Sequence, residues 1–389
     1  MIMTKLEQLI EELCPNGVEF KKIKDAFQRL KGTPITADKM KEIENPNGEI
    51  KIFAGGKTVI NANEADIPNA NITRVPAVLV QSRGVIDVVY YEKPFTFKNE
   101  MWAYTTDNKT TVKYLYYVLK NNIQHFRDAA SGMGSLPQIS LPVTEEFYVP
   151  IPPLPVQSEI VRILDNFTEL TAELTAELTA RKKQYEYYTE QLMNFGDNVK
   201  MLALGEIGSV KMCKRILKSQ TNTECGIPFY KIGTFGKEPD AFISEEVFEE
   251  YKEKYSYPKK GDILISCSGT IGRTVVFDGE PAYFQDSNIV WLEHGGTIVT
   301  NKYLQYCYKK QPWQISTGGT IARLYNDNIL KARIPVPPIE EQERIVEILE
   351  RFDVLCNDIS AGLPAEIEAR QKQYEYYRDK LLTFKEKVN

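Results

Sequence analysis

The chain of 389 residues repeats itself, and that repeat constrains the possible folds more than any other feature. Residues 151–170 read IPPLPVQSEIVRILDNFTEL and residues 336–355 read VPPIEEQERIVEILERFDVL, identical at nine of twenty positions with an offset of 185. Residues 180–195 (ARKKQYEYYTEQLMNF) match 369–384 (ARQKQYEYYRDKLLTF) at ten of sixteen, now offset by 189. Weaker echoes join VEFKKIKDAF (18–27) to VKMLALGEIG (199–208), and SGMGSLPQIS (131–140) to STGGTIARLY (316–325). Such self-similarity marks one structural unit built twice. Each copy is a variable globular part followed by a preserved segment, dividing the chain into 1–150, 151–200, 201–335 and 336–389.

The preserved segments read as long helices. Ile160, Leu164, Phe167, Leu174, Leu178, Tyr185, Tyr188, Leu192 and Phe195 fall on steps of three and four, with Thr171 and Arg181 in the gaps. That is a heptad seam of about five repeats. Pro152-Pro153 ends the preceding strand, and a helix over 156–195 is roughly 60 Å long at ~1.5 Å per residue. The second copy carries the seam through Ile345, Leu349, Phe352, Cys356, Ile359 and Leu363. Gly362-Leu363-Pro364 should then kink or restart it before Ile367, Tyr374, Tyr377, Leu381 and Phe384. A lone amphipathic helix of this length leaves its stripe unburied, so the two copies are expected to pair antiparallel about a pseudo-twofold axis. Between them, TELTAELTAELTA (168–180) repeats every four residues. One added unit lengthens a helix by ~6 Å and slightly more than a turn, so only the spacing and rotation of its ends change.

The variable parts read as mixed α/β units, giving an α+β protein. Strands are expected at Ile50–Phe53, Ala77–Val80, Val85–Tyr91, Ile263–Ser266, Thr274–Phe277 and Ile289–Leu292, and helices at Val112–Asn121 and Asn301–Lys310. Glycine-rich turns punctuate them, notably Gly55-Gly56-Lys57, Ser82-Arg83-Gly84 and 266–273 (SCSGTIGR).

Catalytic motifs fail one by one. Gly55-Gly56-Lys57-Thr58 lacks a P-loop's first glycine, which would be Lys51. Gly132-Met133-Gly134 meets Pro137 where a dinucleotide fingerprint needs its third glycine. Ser268 has Ser266, not glycine, two residues before it, so it is no nucleophile elbow. His125 and His294 are the only histidines, and six scattered cysteines form no CxxC pair, which argues against zinc and disulfides and for a reducing cytoplasm. No Asp/Asn-Pro-Pro-Tyr/Phe stretch is present to hold an adenine for methylation. No apolar run approaches the ~20 residues that span a bilayer.

The Pro-Pro-x3-Gln-x2-Ile-Val-x-Ile-Leu helices (Pro152-Pro153…Gln157…Ile160-Val161…Ile163-Leu164 and Pro337-Pro338…Gln342…Ile345-Val346…Ile348-Leu349) alternate with two variable domains. With the paired Lys-Gln-Tyr-Glu-Tyr-Tyr segments and the TAEL repeat, the chain resembles the specificity subunits of type I restriction–modification enzymes, and within them the subset with a TAEL spacer. Residues 260–272 (KGDILISCSGTIG) also look like a recurrent strand and loop of their target-recognition domains; residues 75–84 (VPAVLVQSRG) stand in the matching place and depart from it. The resemblance implies a non-catalytic reader of double-stranded DNA. Each domain would read one half of a bipartite, asymmetric target, and the helices would set the gap. Two methyltransferase subunits carrying S-adenosylmethionine would dock on it, and two motor-nuclease subunits using ATP and magnesium would complete the complex; the chain itself would bind no cofactor and no metal.

Polar and basic side chains on loops are the chemistry that reads base edges and holds phosphates. Candidates are Lys57, Gln81, Ser82, Arg83, Gly132 and Gly134 in the first domain. In the second they are Lys211, Lys214, Arg215, Lys218, Ser268, Thr270, Arg273, Gly318, Gly319, Thr320 and Arg323. Ile160, Leu164, Phe167, Leu174, Leu178, Tyr185, Tyr188, Ile345, Leu349, Phe352, Tyr374 and Tyr377 are the expected spacer and partner interface. The rival reading is a coiled-coil scaffold without DNA specificity. Formal charge is −5, yet residues 1–150 hold 18 basic and 18 acidic groups and 201–330 hold 15 of each, so the excess sits in the helices. Neutral recognition domains leave much of the phosphate neutralisation to partner subunits.

Overall fold

The computed structural model describes residues 5–132, 136–315, 322–358 and 360–387. The chain forms two compact units, Met1–Ala176 with Glu366–Asn389, and Glu177–Ala365.

In the first unit an antiparallel sheet runs in the order Gln28–Leu30, Trp102–Thr105, Ala77–Gln81, Asp87–Tyr91. A second sheet is ordered Val59–Ala62, Ile50–Phe53, Phe95–Phe97, its last pair parallel. The helix Lys109–Asn121 starts three residues earlier than its apolar pattern because the Asn108 side chain accepts from the Thr111 amide. Its Val112, Leu115 and Val118 share a core with Val78, Val80 and Val88. The second unit repeats this order: Ser209–Lys211, Ile289–Glu293, Ile263–Ser266, Thr274–Val276. Beside it stand Thr221–Asn222, Phe242–Ile243, Ile227–Tyr230 and Tyr283–Phe284, again with a parallel last pair. Thr300 caps its helix Asn301–Lys309.

The weak echo of 18–27 in 199–208 has a structural cause. In each copy a strand passes into one helical turn, Ile23–Ala26 or Leu204–Ile207. The strand pairs antiparallel with the one that ends the domain, Glu19–Lys22 with Tyr148–Ile151 and Met201–Ala203 with Arg333–Pro335. Ile23 then donates to the Phe147 carbonyl at 3.0 Å, and Leu204 to that of Ala332 at 2.9 Å. Of these ribbon strands only the one before Pro152, Tyr148–Ile151, was expected; the others, like the N-terminal helix Lys5–Leu13, were not, the ribbon strands being three or four residues long, too short for alternation to register.

The first repeat forms one helix, Leu154–Leu192, of 39 residues. The glutamine of each Pro-Pro motif folds back: Gln157 donates to the Pro152 carbonyl at 2.7 Å and Gln342 to that of Pro337 at 2.9 Å. Along the TAEL stretch threonine is tolerated because its hydroxyl returns to the carbonyl four residues before, Thr171 to Phe167 at 2.8 Å and Thr175 to Thr171 at 2.7 Å. Ile160 and Leu164 are buried and Leu174, Leu178 and Tyr185 half-buried, as the seam requires, while Tyr188 is more exposed. The second repeat restarts: Ile339–Asn357 ends and Leu363–Leu381 begins. Gly362 donates to the Asp358 carbonyl at 3.0 Å, and a Cβ there would run into the Val354 carbonyl, so the restart needs glycine. Ile359 lies outside the described residues.

Both repeats contribute to each unit through a recurring aromatic group. In the first unit Phe167 stacks on Tyr377 at 5.7 Å and meets Tyr374 at 6.3 Å. In the second Phe352 meets Tyr185 at 5.9 Å and Tyr188 at 5.6 Å. Each domain helix then clamps its neighbour: Tyr117 and Lys113 hold Asp165, and Tyr306 and Lys309 hold Asp353.

Candidate nucleic-acid interface

In the first unit three loops meet at one corner. The turn after Phe53 brings Gly56 to the Arg83 carbonyl, its amide donating at 3.0 Å. Gly84 donates to the Pro137 carbonyl at 2.8 Å, and Ile139 to that of Ser82 at 2.9 Å. Ser131 and Gln138 exchange backbone bonds of 3.0 and 3.1 Å, closing the third loop. Lys57, Gln81, Ser82 and Arg83 are thus gathered, with Gly132 on the adjoining loop; Gly134 lies outside the described residues.

Two of these side chains do not face outward, which corrects the expectation that they present free groups to a duplex. Gln81, 7% exposed, donates to the Gly56 carbonyl at 3.0 Å. Ser82, 0% exposed, donates to the Glu100 carbonyl. A strand end buried on both faces has to spend its polar groups on neighbouring backbone. Both residues hold the turn that carries Arg83. Arg83 and Lys57 are exposed and have no ion pair among the described residues.

The corresponding turn of the second unit joins Ile263–Ser266 to Thr274–Val276. Ser266 donates to the Thr270 carbonyl at 2.5 Å and accepts from the Arg273 amide at 3.0 Å, winding the turn on itself. Gly269 and Gly272 have φ of +63° and +77°, a conformation glycine enters without strain. Leu324 donates to the Cys267 carbonyl at 2.9 Å, as Ile139 does to Ser82, each pair 185 residues apart. The two loops that depart from one another in sequence therefore occupy the same place in the same sheet order.

The second unit's candidates separate into groups. Ser268 donates to the Asn288 side chain at 2.8 Å, and Arg323 donates to the Ser287 carbonyl at 2.8 Å. With Met212, Ser287 and Tyr325, Arg323 lines a cleft of about 650 Å³. Arg273 turns to the Phe235 carbonyl at 2.9 Å, and Lys211 pairs with Glu293 at 3.6 Å, so neither is free at the cleft. Thr270 is exposed at the turn. Lys214 lies 5.1 Å over the Tyr255 ring, with Arg215 and Lys218 exposed farther along the same stretch. Gly318, Gly319 and Thr320 lie outside the described residues. Ser287, Asn288 and Met212 were not singled out from the sequence. Residues 285–288 (QDSN) carried a turn signal between two strands, and Ser287 indeed takes φ +59°.

Of the expected spacer and partner interface, Ile160, Leu164, Ile345 and Leu349 are fully buried within the units and have no surface to offer. Each roots a helix in its own domain's core. The predicted Tyr188 and Tyr377 are exposed, at 39% and 37%, and their neighbours Tyr187 and Tyr376 more so, at 59% and 63%.

The described residues hold no cluster of His, Cys, Asp and Glu able to bind a metal ion, and no helix among them is long and apolar enough to cross a membrane. Burial pushes the Cys267 thiol up to about 11, so it stays protonated beside the glycine turn. The arrangement offers donors, acceptors and cations on rigid loops, which is the equipment of recognition.

A family model described as the type I restriction modification DNA specificity domain matches residues 15–181 and 196–369. A putative type I restriction enzyme specificity subunit of Haemophilus influenzae is 55% identical over 299 residues, covering 75% of this chain and 77% of that one. A type I restriction enzyme specificity subunit of Escherichia coli is 37% identical over 303 residues, 72% of each. Among solved structures, the S subunit of a type I restriction–modification system from M. genitalium superposes with a TM-score of 0.56 at 18% identity, covering 94% of this chain and 95% of that chain. Two matched domains, a repeated helical segment and a relative more than half identical lead to one conclusion: the chain belongs to the specificity subunits of type I restriction–modification enzymes.

Proposed function

We propose that the loop corner of the first unit and the cleft of the second each read one half of a bipartite DNA target. The observation that carries this is the repeated sheet order, which puts 82–86 and 267–273 at equivalent strand ends despite their unrelated sequences. Two readers on one scaffold, each with its own loop chemistry, are what an asymmetric target calls for. In this reading residues 1–150 and 201–335 are the target-recognition domains, and 151–200 and 336–389 the spacer.

Specificity subunits of type I systems are not themselves catalysts; they work with modification and restriction subunits and with DNA. For this chain the proposed complex has two methyltransferase subunits, which supply S-adenosylmethionine, and two motor-nuclease subunits, which supply ATP and magnesium chemistry, in the cytoplasm. The TAEL helix acts as a ruler. A four-residue unit adds ~6 Å, so inserting or deleting one should change the unread gap by about one to two base pairs of ~3.4 Å each.

Methylome sequencing of cells with and without this gene, beside its methyltransferase partner, tests the reading. The expected result is adenine methylation at a two-part motif only when the chain is present. Identical methylomes would remove the DNA-reading function and leave the scaffold as the better account.

A further inference from the structure

The two units place their free cations differently. In the first, Lys57 and Arg83 stand on the reading loops themselves. In the second, Arg273 and Arg323 are anchored to the carbonyls of Phe235 and Ser287. The cations left without ion pairs among the described residues there include Lys331, which lines the cleft, and Lys214, Arg215 and Lys218, on the stretch that follows the edge strand Ser209–Lys211.

That stretch is built to hold charge outward. Cys213 and Ile216 are buried and fix the backbone, while Lys214, Arg215 and Lys218 project between and beyond them. Tyr255 underlies the Lys214 ammonium, and Gln220 accepts from the Leu217 amide at 2.9 Å, closing the turn that bears Lys218. The stretch is continuous with the cleft, because Met212 at its start lines the cleft with Ser287 and Arg323. The equivalent edge strand of the first unit, Gln28–Leu30, leads into 31–36 (KGTPIT), which carries one cation, Lys31, and turns inward at the buried Thr33.

We propose that Lys214, Arg215 and Lys218 form a phosphate-binding track for the duplex at the second half-site, a contact the first unit lacks. The proposal rests on the DNA-reading function above. Both units then carry a cation at the reading surface, and the second adds a grip on the backbone beside its cleft. Exposed point charges spaced along one stretch and free of carboxylate partners suit a phosphate row and carry no base code.

The test uses the assembled methyltransferase complex and fluorescent duplexes carrying its own methylation motif or a scrambled one, titrated across a range of salt. Each phosphate contact contributes about 0.9 to the slope of log K against log salt. The combined variant Lys214→Ala, Arg215→Ala, Lys218→Ala should lower the slope by 2 to 3, to the same extent on both duplexes, and weaken binding about tenfold or more at physiological salt. Lys31→Ala should change the slope by no more than about 1. All three replaced side chains are exposed, so an unchanged melting curve checks the fold. An unchanged slope would overturn the track, as would a changed base preference or failure of the triple variant to assemble with its partner. A parent complex that shows no preference for its own motif would instead overturn the DNA-reading function itself.

Discussion

The turns at 82–86 and 267–273 occupy one position in two copies of the same sheet, and they solve it with different chemistry. The first is held from outside: Gln81 reaches Gly56, Ser82 reaches Glu100, and Gly84 leans on the loop at Pro137. The second is held from within, Ser266 closing on Thr270 and Arg273 while Gly272 packs under Trp313. One scaffold thus tolerates two loops because the strands, not the loop residues, set where the turn begins. That is the property a reader of two unlike half-sites needs.

The largest effect should come from what the units share. Leu164 and Leu349 are fully buried at equivalent repeat positions, so Leu164→Ala and Leu349→Ala should each destabilise their own unit by about 3 kcal/mol. Differential scanning calorimetry should show two similar losses; a single large one would mean that the repeats do not root their helices alike. Next come the glycines. A Cβ on Gly272 would sit 3.1 Å from the Trp313 ring nitrogen at φ +77°, whereas one on Gly84, φ +80°, first meets Gly56 at 3.5 Å. Gly272→Ala should cost about 2–3 kcal/mol and Gly84→Ala about 1 kcal/mol, read by thermal melting.

The arginines should separate reading from holding. Arg83→Ala should leave melting unchanged and relax one position of the methylated motif, a discrimination of about 1–3 kcal/mol. Arg323→Ala should instead lower stability by about 1–2 kcal/mol through the lost bond to the Ser287 carbonyl. The smallest effect is one of pH. Bonds from Arg162 and Lys5 hold the buried Glu159 carboxyl at about 2, below its usual value near 4.5. Its contribution is therefore present above pH 4.5 and is lost as pH falls toward 2. Glu159→Gln should flatten the acid limb of the first unit's stability curve. The second repeat has Arg344 at that place, paired with the half-buried Glu341 at 2.7 Å and holding its carboxyl below the usual value, so the second unit should keep an acid limb that Glu159→Gln leaves untouched.

The helical part of this molecule was legible because its signal is long: a seam of about five heptads and identities at fixed offsets survive local noise. Strands such as Ile50–Phe53 and Ile263–Ser266 were legible because one alternates and the other runs apolar, each bounded by glycine turns. Of the ribbon strands only Tyr148–Ile151 was, through the prolines that stop it; the others are too short to show a period. For the site, the sequence picked out the loops but not the direction of their side chains. Ser82 and Arg83 are adjacent and both polar, yet one is buried and the other exposed. Whether a serine faces DNA or a neighbouring carbonyl depends on loops more than a dozen residues away, at 56, 100 and 137. Asn288 was missed for the same reason, since only the fold brings it to Ser268.

Independent reading of the two half-sites, one by each unit, carries the proposed function. It is tested most directly by replacing residues 1–150 with the corresponding segment of the Haemophilus influenzae relative and sequencing the methylome of cells that carry the chimera with its methyltransferase partner. The account predicts a new sequence in one half of the motif, with the other half and the gap unchanged. A motif altered in both halves, or in neither, would contradict it.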